Sequence, residues 1–336
     1  MLTQPFDLAE HLRALAEYDG RICPNCSAGS MRYTGIESQI MAHFAKWEKY
    51  GITFNDDLKN SFSAPPCSFL YRCDTCGLGR FYPVVEGSAD YYAAITETDY
   101  YSAHRPEFDL AYGILAKGQG DLLEIGSGRG HFLHFLREKG VAYRLHAIDN
   151  NPDVQSTLTE IAAVHHDYST LPEHLDAVCA FQVLEHMGEP FDFVDRCREI
   201  LRPGGLLLIS VPDYDGAIRF YGDSHTETPP HHLTRWNKSS LNALLSHRNF
   251  SILCNKGIPL QKKGIKQYAN PIFYHFLQKL NLERYRKLVD LQKSFEAILN
   301  ALPFDHVPFT SFDRFVCARY DGRDALSANN IYTEIE

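Results

Sequence analysis

No apolar run in the 336-residue sequence could cross a bilayer. Stretches such as Leu206–Ile209 fall far short of the roughly 20 residues a spanning helix needs. The first ten residues, Met1 to Glu10, lack a basic segment followed by an apolar core. They do not read as a secretory leader, and a cytoplasmic location is expected. Basic residues are in deficit: 33 Lys and Arg stand against 42 Asp and Glu, a net charge of −9. Broad nucleic-acid binding needs a basic face, so this balance argues against it. Lys262-Lys-Gly-Ile-Lys266 is only a small basic cluster. Internal repeats and low-complexity tracts are missing as well. What remains is 44% hydrophobic and 22% charged, an ordinary globular composition long enough for two domains.

The nine cysteines are an odd number, which argues against a framework of disulfides. Four of them form two pairs, Cys23-Pro-Asn-Cys26 and Cys73-Asp-Thr-Cys76, each followed by small or turn-forming residues. Four thiolates in such pairs suit a tetrahedral Zn²⁺, and a closed four-cysteine site is structural. A redox site would call for a single CxxC at a helix N-terminus. The gap between the pairs is 46 residues, much longer than in a compact ribbon, and residues 37–50 have helical apolar spacing within it. Cys67 lies close to the second pair and reads as a decoy rather than a ligand. This module, with a tyrosine-rich connector (Tyr91, Tyr92, Asp99-Tyr-Tyr101, Arg105), is expected to occupy residues 1–105. The connector reads either as packing between the two domains or as a lid.

Beyond it the chain alternates strand and helix, as a doubly wound α/β sheet requires. The apolar run Leu122–Ile125 carries Glu124 and enters a turn with Gly126, Gly128 and Gly130, followed by a helical stretch, His131–Lys139. A strand–glycine turn–helix opens a nucleotide-type pocket at the C-terminal edge of a sheet. A dinucleotide fingerprint would need its third glycine at position 131, which is His, and this disfavours a nicotinamide dehydrogenase. Asp149 ends the second strand, 19 residues after Gly130, where a carboxylate can accept both hydroxyls of a ribose. Asp167 follows the third strand, Ala162–His166, where it could meet an adenine amino group; His165 and His166 read as structural. Further strands are expected at 177–182, 206–211, 250–255 and 314–319, with a turn at Arg202-Pro-Gly-Gly205. This second domain spans 106–322. It carries an insertion at about 262–308 with helical periodicity over Phe273–Leu299, and a tail at 323–336.

The E-x-G-x-G-x-G pattern from Glu124 to Gly130 resembles the first motif of class I S-adenosylmethionine (SAM)-dependent methyltransferases. Phe181-Gln-Val-Leu-Glu-His186 and Leu201-Arg-Pro-Gly-Gly-Leu-Leu-Leu-Ile-Ser-Val-Pro-Asp213 resemble later motifs of the small-molecule branch. Pro229-Pro-His-His-Leu-Thr-Arg-Trp236 is similar to a segment of members acting on sugars, polyketides and related metabolites. With the cysteine module in front, the arrangement is similar to bacterial zinc-containing methyltransferases, including sugar C-methyltransferases. The resemblance covers about residues 20–260 and the last strand; the long cysteine gap and the large insertion depart from it. It implies a Rossmann-like sheet, a structural zinc and a small-molecule acceptor. It also implies a SAM site drawn from Glu124, Gly126, Ser127, Gly128, Gly130, Asp149, Asn150, Asp167, Tyr168 and Gln182.

A sulfonium methyl is already activated, so such an enzyme mainly aligns an in-line attack and excludes water. A hydroxyl or acidic C–H acceptor also needs a base, whereas an uncharged amine does not. Glu185 and His186 after the fourth strand, and His231 and His232 after the fifth, are the candidate catalytic groups, since imidazole titrates near neutral pH. Two alternatives stay open: a zinc-ribbon methyltransferase acting on an RNA base, and a catalytically silent SAM-binding scaffold.

Overall fold

The computed structural model describes residues 13, 17–49, 51–96, 103–149, 158–221, 224–261, 273, 276, 277, 280–282, 289–301, 303 and 306–322. The connector's Asp99-Tyr-Tyr101, the Lys262–Lys266 cluster and the tail at 323–336 lie outside these residues. In chain order the elements begin with β1 (Met31–Gln39), α1 (Ile40–Glu48), α2 (Asp56–Ser61), β2 (Cys67–Cys73), β3 (Gly79–Tyr82), α3 (Ala89–Thr96) and α4 (Pro106–Leu115). There follow β4 (Gln119–Ile125), α5 (His131–Glu138), β5 (Ala142–Ile148), β6 (Ala163–His165), β7 (Leu175–Phe181), α6 (Pro190–Ile200) and β8 (Leu201–Pro212). The chain then forms β9 (Thr234–Arg235), α7 (Lys238–Ser246), β10 (Phe250–Gln261), α8 (Val289–Ala301) and β11 (His306–Tyr320).

The larger sheet has seven strands in the order β10-β11-β8-β7-β4-β5-β6. The run from β8 to β6 is parallel, while β11 lies antiparallel to both β8 and β10. Its central strands are apolar on both faces, as a sheet covered on both sides must be. Leu123, Val178 and Ile209 point into one core, Leu122, Cys179 and Leu208 into the other. Proline at the first helical position starts both α4 and α6, where its missing N–H costs nothing. Asn237 and Ser240 form a reciprocal capping box that starts α7.

The smaller sheet is antiparallel, in the order β1-β2-β3-β9. Its fourth strand comes from the segment after β8, where Gly79 pairs with Arg235 and Arg80 with Thr234. Cys23, Met31, Phe69, Tyr71 and Leu78 share one buried cluster with Leu123, Val178, Ile209 and Trp236, so the cysteine module packs continuously onto one face of the large sheet.

Three local expectations shift. The helix expected over 37–50 begins at Ile40, because Glu37, Ser38 and Gln39 pair with Phe69, Ser68 and Cys67. The turn expected at 202–205 lies inside β8, with a register irregularity opposite Leu175 and Ala177 and Gly204 at φ 83°. The periodicity over 273–299 corresponds, among the described residues, to α8, whose Phe295 and Leu299 pack with Phe273 and Leu277.

Candidate active site

A cavity of about 620 Å³ opens along the C-terminal edge of the parallel strands. The strand order lays out its wall: Asp167 and Tyr168 follow β6, Asp149 follows β5, the glycine turn follows β4, and Gln182 to Met187 follow β7. Glu86, Gly87 and Tyr92, from the segment leaving the small sheet, complete the β7 side.

The glycine turn requires its glycines. Gly126, Gly128 and Gly130 have φ of 69°, 49° and 72°, a region that side chains with a Cβ rarely adopt. Gly130 does not line the cavity; it precedes α5 in left-handed conformation, and a Cβ there would sit 2.1 Å from Leu158 Cδ2. Its role is therefore packing and helix entry. The Gly128 amide donates to Asp149 Oδ2 at 2.7 Å and fixes that carboxylate against the turn. A carboxylate has about four acceptor positions, so this bond leaves capacity for ribose hydroxyls. Asp167 caps the short turn Tyr168–Thr170 by accepting from the Ser169 amide at 2.8 Å, and the Ser169 bonds hold its carboxyl below the ordinary range. It lines the cavity as well, so capping and ligand contact are compatible there.

Two buried polar atoms at the turn fit an amino-acid-bearing ligand. Glu124 Oε2 and Ser127 Oγ have no hydrogen-bond partner among the described residues. An unpartnered buried polar group costs about 1–3 kcal/mol, which a ligand can relieve. Burial pushes the Glu124 carboxyl well above its ordinary range, with the Asp149 charge adding to it. Gln182 is held at φ 56°, a strained value for a residue other than glycine, and its amide lies 3.4 Å from both Ser210 Oγ and Asp313 Oδ1. Asn150, expected beside Asp149, lies outside the described residues. His165 belongs to a hydrogen-bonded chain from Asp121 through His146 to Thr170, whereas His166 lines the cavity.

The four candidate catalytic groups come together, but only His186 lines the cavity. Glu185, His231 and His232 lie directly behind it, 0%, 1% and 6% exposed. The His186 ring centre is 4.7 Å from those of both His231 and His232. His186 Nδ1 donates to the His231 carbonyl at 2.7 Å, and His232 Nδ1 lies 3.3 Å from Glu227 Oε2. Glu185 Oε1 is 3.9 Å from His232 Nε2. Burial lowers His186 to about 3 and His231 well below its ordinary range, so both are neutral. Burial raises the Glu185 carboxyl to about 7. Glu227 goes the other way, to about 2: burial opposes this, but His232, Tyr214 and Arg235 together outweigh it.

Of the residues around this cluster, Tyr91 and Tyr92 belong to the connector read above as packing or a lid, whereas His43 and Trp47 carried no mark of function in the sequence. His43 and Trp47, on the buried face of α1, sit against it: the Trp47 ring is 5.6 Å from His231 and 4.3 Å from His225. Trp47 Nε1 donates to His43 Nε2 at 2.9 Å, and Tyr91 Oη lies 2.7 Å from the same atom. Tyr92 Oη is 3.1 Å from His186 Nδ1. The long gap between the cysteine pairs thus builds a wall for the histidine cluster. Only the helical spacing of Ile40, His43, Phe44 and Trp47 hinted at it.

The four cysteines of the two pairs converge. Cys23 and Cys76 sulfurs are 3.8 Å apart, Cys26 and Cys73 sulfurs 3.7 Å, and all four lie within 4.8 Å of one another. Four sulfurs bound at about 2.3 Å to a tetrahedral ion would be roughly 3.8 Å apart, so the donor set fits zinc. Amides of Thr75 and Cys76 point at Cys73 Sγ, as a metal knuckle requires. Cys67 sits at the start of β2 and is not part of the group.

Residues 100–255 match a family model described as a methyltransferase domain. Over 145 residues the chain is 30% identical to a "Probable S-adenosylmethionine-dependent methyltransferase" of Mycolicibacterium smegmatis, covering 41% of this chain and 54% of that protein. Over 128 residues it is 27% identical to a ubiquinone biosynthesis O-methyltransferase of Klebsiella pneumoniae, covering 32% of this chain and 50% of the relative. The chain spans about half the length of the curated relatives it matches. Among solved structures, a SAM-dependent methyltransferase from Archaeoglobus fulgidus shares 17% identity at a TM-score of 0.46, over 68% of this chain and all of that one. Residues 100–255 thus carry a likeness to methyltransferase domains, set on a Rossmann-like α/β sheet. Among the described residues no helix is long and apolar enough to cross a membrane.

Proposed function

We propose that the chain is a SAM-dependent methyltransferase acting on a hydroxyl of a small acceptor of sugar or natural-product type. One observation carries this reading: a single cavity joins the glycine turn, Asp149 and Asp167 on one side to Tyr92 and His186 on the other. SAM supplies a methyl group on a sulfonium, whose carbon–sulfur bond breaks as the acceptor oxygen attacks, the electron pair staying on sulfur. Asp149 and Asp167 would hold the ribose and adenine, and Glu124, Ser127 and the Gly126–Gly128 backbone the amino-acid part. The acceptor then lies toward His186, where the cluster of Glu185, His186, His231 and His232 handles the hydroxyl proton. A proton acceptor in this cluster favours a hydroxyl or an acidic C–H over an uncharged amine, and the O-methyltransferase relative tips the choice toward oxygen.

Residues 1–105 would form an accessory module with a structural zinc on Cys23, Cys26, Cys73 and Cys76, and residues 106–322 the catalytic domain. Calorimetry with SAM, followed by transfer of labelled methyl from SAM to a panel of hydroxylated metabolites, tests the proposal. Saturable SAM binding and a labelled ether are expected. Absence of SAM binding by the folded chain would refute it. His231→Ala or His232→Ala should slow turnover with SAM affinity kept, and full activity in both would reject the cluster's role.

A further inference from the structure

The histidine cluster has more ordered chemistry than proton transfer alone calls for. One nitrogen of each of His186, His231 and His232 lies within 4.8 Å of the other two. Two of the rings are oriented by hydrogen-bond partners. His186 Nδ1 donates to the His231 carbonyl, and His232 Nδ1 faces Glu227 Oε2, which itself accepts from the Tyr214 hydroxyl. In each of these rings the proton therefore sits on Nδ1 and the lone pair on Nε2. A metal-binding histidine is held in this way, its second N–H given to a carbonyl or carboxylate that fixes the tautomer and raises the basicity of the ligand nitrogen.

Glu185 is the independent observation. It is fully buried, and neither carboxylate oxygen has a hydrogen-bond partner among the described residues, yet Oε1 lies 3.9 Å from His232 Nε2. A buried carboxylate without partners is costly unless a cation faces it. Glu185 and Glu227 together bring two carboxylates to the cluster. We infer that His186, His231 and His232, with Glu185 beside them, form a binding site for a divalent transition metal at the acceptor end of the cavity.

Three imidazoles favour Zn²⁺ or another late first-row cation over Mg²⁺ or Ca²⁺, which prefer oxygen. Nitrogens bound at about 2.1 Å in a tetrahedral shell would be roughly 3.4 Å apart, so each ring needs to move inward by at most about 1 Å. Three-histidine sites keep a fourth position open. His186 lines the cavity, so a metal held by the three rings would supply Lewis-acid activation of an acceptor on that side, with Glu185 beside it to take a proton. This function rests on the acceptor-end assignment above; the metal site itself does not.

The test uses the full chain, equilibrated with Zn²⁺ and then freed of loosely held metal by dialysis, with X-ray absorption reading the zinc shell and elemental analysis its amount. Two zinc ions per chain are expected, with nitrogen and sulfur both in the average shell. His186→Asn and His232→Gln should each drop to one zinc with an all-sulfur shell, circular dichroism confirming that they fold. A wild-type shell of sulfur alone overturns the inference whatever the variants do. A nitrogen shell that survives in both folded variants also overturns it. SAM calorimetry on the same samples separates the two proposals: SAM binding without a nitrogen shell removes only the metal site, and a nitrogen shell without SAM binding removes only the methyltransferase reading.

Discussion

The two ends of the cavity are built in opposite ways. The end at β4, β5 and β6 is made of short motifs, each following its own strand within a single stretch of chain from Glu124 to Tyr168. The end at His186 is assembled from four separate segments: α1, the residues from Glu86 to Tyr92, the Leu184–His186 turn, and the loop from Tyr214 to His232. The first end is mostly backbone, strand ends and glycines. The second is side chains buried against side chains from distant parts of the sequence. A binding site for an invariant donor can be carried by a local motif, whereas a site for a particular acceptor is shaped by insertions. The residues between the cysteine pairs are such an insertion, and they reach the His186 end through His43 and Trp47.

If this contrast is right, damage to one end should leave the other intact. The largest effect is expected from Gly128→Val. At φ 49° a β-branched residue cannot keep the turn, and the amide that anchors Asp149 would move. SAM binding measured by calorimetry should disappear while the fold remains. Binding near the wild-type level would break the donor-end assignment.

Trp47→Ala comes next. It removes a 5% exposed indole that packs on His231 and His225 and hydrogen-bonds His43. Loss of a buried aromatic costs about 3–5 kcal/mol, read by urea unfolding. SAM affinity should stay within a few-fold, since Trp47 does not line the cavity. A stability cost matched by an equal loss of SAM binding would show that the two ends are not separable.

Asp149→Ala should be somewhat smaller in effect. Hydrogen bonds to a charged group contribute about 1.5–3 kcal/mol each, so SAM affinity should fall by roughly 100-fold or more with thermal stability nearly unchanged. Unchanged affinity would move the ribose elsewhere.

The smallest effect concerns Asp121, earlier on β4 than the turn. Hydrogen bonds from Arg144 and then His146 outweigh burial and hold its carboxyl at about 2. Its folded value lies below its unfolded value, so its contribution is present above the ordinary carboxylate range and is lost as pH falls from about 4 toward 2. Asp121→Asn should flatten this part of the stability–pH curve and leave SAM binding at neutral pH unaffected. A steeper acid limb in the variant would contradict the assignment.

The same contrast explains what the sequence disclosed. The central strands were readable because Leu122–Ile125 and Leu206–Val211 are apolar on both faces, and the turn because three glycines occupy positions of positive φ. Glu124, Asp149 and Asp167 were recognisable as strand-end carboxylates. The cysteine pairs disclosed their own convergence through spacing. Gly130 was placed in the site by its motif, but its neighbour Leu158 shows a packing role. His231 and His232 were picked out by residue type, yet nothing in the sequence indicated that they lie behind His186 rather than in the cavity. Glu227, Tyr214, His43 and Trp47 had no local signature, because tertiary contacts alone bring them to the histidines. The pairing of β9 with β3 was equally hidden, since a two-residue strand leaves no periodic pattern.

A structure of the full chain with S-adenosylhomocysteine bound tests the division of the cavity most directly. The account predicts the ribose hydroxyls on Asp149, the adenine beside Asp167, and the sulfur directed toward His186 and Tyr92. A nucleoside bound at the His186 end, or a sulfur turned away from it, would contradict the account.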